Sequence, residues 1–226
     1  MDSACLTRDH VTVRYLSTAL LMFIALQAQT ATAAADFSGI WVSGVTVADR
    51  DSLWPQEPPY TEAGLAAQAK AGTAEDPAFQ CIIGFGRIMA AGFPTEIIQT
   101  DRQVTILYEY EHQVRRIFID GREPPAKIRE TLMGYSVGSW EGSTLVVETV
   151  GLKPLFFRNG GIPYSNEAHV TERFTLLDDG KTLETLITVD DSLYYTEPWE
   201  ARKYMRLDND TVILEYDCTL REHLEP

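Results

Sequence analysis

From Phe37 onward the chain is built of short runs in which apolar and polar residues alternate, and turn-forming residues divide one run from the next. The runs are "FSGIWVSG", "TEIIQT", "QVTILYEYE", "QVRRIFID", "YSVGSWEG", "STLVVETV", "AHVTERFTLL", "KTLETLITVD", "EARKYMRL" and "TVILEYD". A period of two turns one face of each run toward a core, which is the mark of a half-buried β-strand. Thr100-Asp101-Arg102, Asp120-Gly121, Glu141-Gly142, Asp178-Asp179-Gly180 and Asp208-Asn209-Asp210 have the chemistry of hairpin connections. Neighbours in sequence should therefore pair antiparallel. So many strands leave long open edges unless the sheet closes or splits in two, and a sandwich would need longer crossings than these. The expected fold is all-β, an antiparallel up-and-down barrel of about ten strands.

One segment breaks the rhythm. In "WPQEPPYTEAGLAAQAKAGTAEDPAFQC" the prolines prohibit regular pairing, while Thr61 is placed to cap "EAGLAAQAKA", a single short helix ending at Gly72 in a long N-terminal loop.

The N-terminus reads as a leader. Arg14 precedes an apolar stretch from Leu16 to Leu26, too short to span a bilayer comfortably, and the small residues of "ATAAAD" suit cleavage after about Ala33 to Ala35. The expected organisation is a signal peptide over 1–34 and one β-barrel domain over 35–226, exported to the periplasm or secreted, with no stable membrane insertion once the leader is removed. The formal charge of -14 is unchanged by that removal, since Asp2, Asp9, Arg8 and Arg14 cancel. Such an acidic protein is repelled by phosphate backbones, so no nucleic-acid partner is expected. Arg115, Arg116 and Arg122 form the main basic cluster. Cys5 leaves with the leader. Cys81 and Cys218 then remain, either as a disulfide in an oxidising compartment or as two buried thiols.

The polar chemistry concentrates in "ILYEYEHQVRRIFIDG", Ile106 to Gly121. On its first strand Val104, Ile106, Tyr108 and Tyr110 share the apolar-aromatic face, expected to be the inner one. On the return strand Val114, Arg116 and Phe118 alternate with Arg115, Ile117 and Ile119, which leaves open which arginine points inward. A buried arginine needs a carboxylate. "AHVTERFTLL" offers Glu172 on a face shared with Val170, Phe174 and Leu176. Glu172 is thus either the structural partner of Arg115 or Arg116, or a proton-transfer group with a perturbed pKa. His112, at the end of the hairpin beside Tyr110, is a candidate general base or an ordinary turn residue. Further on, "DDSLYYTEPWEARK" supplies rings that could floor or cover a pocket. Tyr108, Phe118, Trp199, Tyr195 and His169 are the candidate binding residues, a mostly apolar set with few polar fixtures. His112 and His169 lack the spacing of a helical metal motif, and GxSxG, GxGxxG and GxxxxGK are all missing, so neither a metal nor a cofactor is expected.

The blocks "DFSGIWV", "PPYTEAGLAAQ", "VTILYEYEHQVRRIFIDGR", "MGYSVGSWEGSTLVVETVG", "HVTERF" and "VDDSLYYTEPW" resemble, in combination and over the whole mature chain, a large family of exported bacterial proteins. That resemblance implies a lipocalin-like, or calycin-like, β-barrel, and Gly39-Ile40-Trp41 is similar to the G-x-W of lipocalins. The family's cysteines correspond to Cys81 and Cys218. In "GLKPLFFRNGGIPYSNEAH" the chain departs from the family, for Tyr164, Ser165 and Asn166 stand where relatives carry His-Ser-Glu. A changed loop on a shared barrel points to a private ligand or reaction. The expected function is a cofactor-independent acid/base enzyme of isomerase, lyase, hydratase or cyclase type, acting on a small apolar organic substrate. Glu172 or His112 would be acid or base, Tyr110 and Tyr108 hydrogen-bond donors, and Arg116 the holder of an oxyanion. The alternative is a non-catalytic carrier of a hydrophobic ligand.

Overall fold

A computed structural model describes Met1 and residues 34–45, 53–158, 161–216 and 218. Apart from Met1 and Ala34, the expected leader lies outside the described residues, as does the polar tail "REHLEP", in which His223 is expected to be exposed.

The strands are β1 (Gly39–Ser43), β2 (Thr95–Gln99), β3 (Gln103–Tyr108), β4 (Val114–Phe118), β5 (Tyr135–Glu141), β6 (Thr144–Val150), β7 (Leu155–Phe156), β8 (Pro163–Tyr164), β9 (His169–Leu176), β10 (Thr182–Asp190) and β11 (Trp199–Leu207). Nine of them close into a barrel in the order β1-β11-β10-β9-β6-β5-β4-β3-β2, while β7 and β8 pair separately. Alternation sets the inner face: along β10, Leu183, Thr185, Ile187 and Val189 are buried and the residues between them are not. The inward Val104, Ile106 and Tyr108 of β3 and the inward Val170, Glu172 and Phe174 of β9 follow the same rule.

The all-β barrel stands, with two corrections. "TVILEYD" is not a tenth strand, because residues 211–216 carry no ladder. The reason is that β1 already pairs with β11 on one side and β2 on the other, so the ring has no edge left to accept it. The ring is also mixed, since β4 and β5 run parallel whereas the other neighbours are antiparallel. Both corrections are one geometric fact. An odd number of strands alternating in direction cannot close without one parallel pair, and the nine strands place it there. Asp120-Gly121 accordingly opens a long crossover, residues 119–134, as a parallel return requires. Pro124 and Pro125 within it have no N–H to offer a ladder.

Among the described residues two α-helices lie outside the barrel ladder. In α1 (Glu62–Gln68) Thr61 is the cap, its hydroxyl accepting from the Gly64 N–H at 3.0 Å and donating to the Leu193 carbonyl at 2.7 Å. A Cβ at Gly64 would stand 2.1 Å from the Tyr194 carbonyl oxygen, so only glycine lets α1 seat against that loop. The sequence did not signal α2 (Phe85–Ala90). Its Gly84 cap offers no side chain, and Phe85 through Met89 are all buried, which erases the amphipathic period.

Cys81 and Cys218 form a disulfide with Cα atoms 5.8 Å apart across a sequence separation of 137. It ties down a strap, residues 211–216, whose Leu214 N–H donates to Glu109 Oε2 and whose Tyr216 N–H donates to His112 Nε2, each at 2.9 Å. Replacing both cysteines by alanine is expected to lower stability by about 2–4 kcal/mol, because a long loop is released in the unfolded chain. Urea unfolding of the variant beside the oxidised parent measures the loss.

Candidate functional site

The structure places Arg115 in the interior, with Glu172 as its partner. Arg115 is 1% exposed and Glu172 not at all. The guanidinium meets the carboxylate twice, Nη1 donating to Oε1 at 3.1 Å and Nη2 to Oε2. Nη2 also donates to Thr149 Oγ1 at 2.8 Å and Nε to Ser136 Oγ at 3.1 Å, while those two hydroxyls are 2.9 Å apart. Phe85 of α2 lays its ring 4.8 Å from Arg115 Cζ. Met89 Sδ, 3.8 Å from Nη1, accepts from the Tyr108 hydroxyl at 3.5 Å. Burial works against the charge of Arg115, but the facing Glu172 outweighs it and raises the guanidinium pKa. Burial also pushes the Tyr108 phenol up to about 12. Chemically this is a saturated network in which the donors of Arg115 are already met.

The other candidates lie elsewhere. Arg116 is exposed and Phe118 half-buried, both on the outer face of β4. His112 is exposed and its Nε2 is occupied by the strap. Tyr110 is buried but stacks on Phe93 at 4.9 Å and meets Tyr216 edge-on at 5.0 Å, serving the same strap. His169 sits on the outer face of β9, its Nε2 3.8 Å from Glu148 Oε2. Tyr195 and Trp199 are buried with centroids 5.6 Å apart, in a ring cluster continued by Phe157 at 5.3 Å from Trp199. The Tyr195 hydroxyl donates to the Pro163 carbonyl, which pins β8 to this cluster.

Asp191 lies in "DDSLYYTEPWEARK", where its acids are expected at the rim of a pocket; it is instead buried and accepts from both the N–H and the hydroxyl of Ser165, at 2.7 and 2.8 Å. Asp76 and Gly86 were not singled out by sequence reasoning. Asp76 is buried against Arg87 and accepts from the Gly72 and Ala78 N–H groups at 2.9 and 3.0 Å. The proline after it, an N-terminal helix signal, was the available clue. Gly86 permits close packing of α2, because a Cβ there would lie 2.7 Å from Phe157 Cα.

Several hollows have the size of small-molecule sites, for which roughly 300–1,000 Å³ is usual, and two of them lie beside the β7–β8 hairpin and the β4–β5 seam. One, about 480 Å³, lies between α1 and the β7–β8 hairpin and is mostly apolar: Ala63, Ala66 and Ala67 face Leu155, Phe156 and Tyr164, with Lys70 and Glu75 also on its walls. The other, about 380 Å³, is a cleft between β4 and the segment 131–136, with Arg116, Phe118 and Tyr135 in its walls. A larger hollow of about 650 Å³ beside Arg158 has mostly polar walls. Among the described residues no group of three His, Cys, Asp or Glu side chains is placed to hold a metal, and no helix is long and apolar enough to cross a membrane.

Fold and site together define a closed mixed β-barrel with a bonded polar interior and small-molecule-sized hollows on its outside. No family model matches the chain, and no curated protein matches it.

Two outcomes follow from the buried ions. Arg115→Met alone leaves Glu172 unpaired and should cost about 3–5 kcal/mol, while the pair Arg115→Met with Glu172→Leu should recover most of that loss in urea unfolding. Asp76 behaves differently. Burial opposes its charge, but the Gly72 and Ala78 N–H groups and Arg87 prevail and hold its carboxyl below the usual value of 3.8. Its contribution is therefore complete above the unfolded carboxylate range and is lost as pH falls through the lower folded value. Asp76→Asn should flatten the acid limb of a stability-against-pH curve and leave its alkaline limb in place.

Proposed function

We propose that this is an exported binding protein, periplasmic or secreted, that takes a small, largely apolar organic molecule into the hollow between α1 and the β7–β8 hairpin without chemically converting it. The observation that carries the reading is the hollow itself, about 480 Å³ with alanine, proline, leucine and aromatic walls. Its hairpin is formed by the segment in which the chain departs from the family it resembles, and Tyr164 is one of its walls. That is where a private ligand preference would reside. Two further features support rigid capture. Gly64 seats α1 directly on the Tyr194 loop, and Tyr195 anchors β8. The disulfide suits an oxidising compartment.

Acid–base turnover has less support. Both oxygens of Glu172 accept from Arg115, His112 is engaged by the strap, and Arg116 lies on the outer face. A catalytic carboxylate has to be within hydrogen-bond reach of the proton it moves.

The reading is tested by titrating the protein with naphthol, a neutral bicyclic probe, against Ala66→Phe, which fills the hollow from the exposed side of α1. Saturable binding that weakens by about tenfold in the variant is expected. Absence of saturable binding to the parent, or equal affinity for a variant of unchanged melting temperature, would overturn it.

A further inference from the structure

The cleft beside β4 is a second site of different chemistry. It exists because the parallel seam is short: β4 and β5 match only at Ile117 with Ser136 and Phe118 with Val137, whereas β5 and β6 match along seven positions. N-terminal to Ile117 the two strands part, and the segment 131–134 stands off from Val114 and Arg116 to leave about 380 Å³ between them. The buried Arg115 and Ser136, joined to each other at 3.1 Å, are among its lining residues and make its inner side rigid.

The walls combine Arg116 with two aromatic rings inclined to one another by 35°. Arg102 and Arg122 are paired with Asp120, Arg173 with Glu141, Arg202 with Glu184 and Arg206 with Asp208. Arg116 has no carboxylate partner among the described residues, although the chain carries a formal charge of -14 and acids are plentiful. Beside it Phe118 and Tyr135 pack with ring centroids 5.4 Å apart, and Arg122 lies 3.9 Å over the Phe118 ring, fixing it in place. A planar guanidinium accepts a carboxylate through two parallel hydrogen bonds, and aromatic faces take up a flat ring next to it.

We infer that this cleft binds a small aromatic carboxylate, its acid group on Arg116 and its ring against Phe118 and Tyr135. The site shares no residue with the hollow at α1, so neither reading depends on the other.

Naphthoate, naphthol and inorganic phosphate are titrated into the ¹⁵N-labelled full chain and followed by amide shifts. Naphthoate should move the amides of Phe118, Met133, Gly134 and Tyr135 and saturate, more weakly as salt is raised from about 50 to 300 mM. Arg116→Gln, an exposed change outside the interior network, should weaken naphthoate by about tenfold or more, while Arg116→Lys keeps part of the affinity. Phosphate, which has the charge without the ring, should leave these amides unmoved. Three results overturn the inference: naphthol shifting the same amides at equal affinity, Arg116→Gln binding naphthoate within about twofold of the parent, or no saturable shift at the cleft.

Discussion

The interior ion pair is the constraint on which the barrel's geometry depends. Burying a guanidinium and a carboxylate costs several kcal/mol per ion, and the mutual attraction repays it only when the remaining donors and acceptors are met. Here they are met from four strands: Arg115 from β4, Ser136 from β5, Thr149 from β6 and Glu172 from β9. Slipping any one of these strands by a single residue would turn its polar group to the outside and leave a charge stranded. Apolar alternation alone tolerates several registers. The network tolerates one, and it spans the parallel seam where the ladder is too short to set register by itself.

Ring parity explains where the surface features fall. With nine strands, one parallel neighbour pair is unavoidable, and it comes between β4 and β5 because the chain makes its long crossing there. A second irregularity is the connection from β6 to β9, which carries the β7–β8 hairpin. Two of the small-molecule-sized hollows, the cleft beside β4 and the one at the β7–β8 hairpin, each adjoin one of these departures from a regular meander.

The legible parts of the fold were those set by local pattern. Alternation along β3 and β9 identified the inner faces and picked out Glu172 as an acid among apolar neighbours, and Thr61 marked the start of α1. Arg115 and Arg116 could not be separated, since each alternates with apolar residues. What decides between them is the pairing of Ile117 with Ser136 across the seam, a contact between residues far apart in sequence. The "TVILEYD" run failed for a related reason. Its pattern is that of a strand, but whether an edge is open to receive it depends on β1, at the other end of the described chain. The helix α2 was hidden because burial on all sides leaves no period to read. Tyr110 and His112 have partners that a local pattern could not announce, for these lie in the strap at residues 211–216.

The stretch from Ile106 to Gly121 thus divides its polar groups among three tasks. Tyr108 and Arg115 build the interior, Tyr110 and His112 hold the strap, and Arg116 with Phe118 faces the cleft. The interior share of that division is closed upon itself, for both oxygens of Glu172 accept from Arg115, and the barrel middle is thereby a fixed support beneath its outer walls. Residues 119–134 and the β7–β8 hairpin frame two of the hollows without contributing to the Arg115 network, so their side chains can change while the barrel keeps its register.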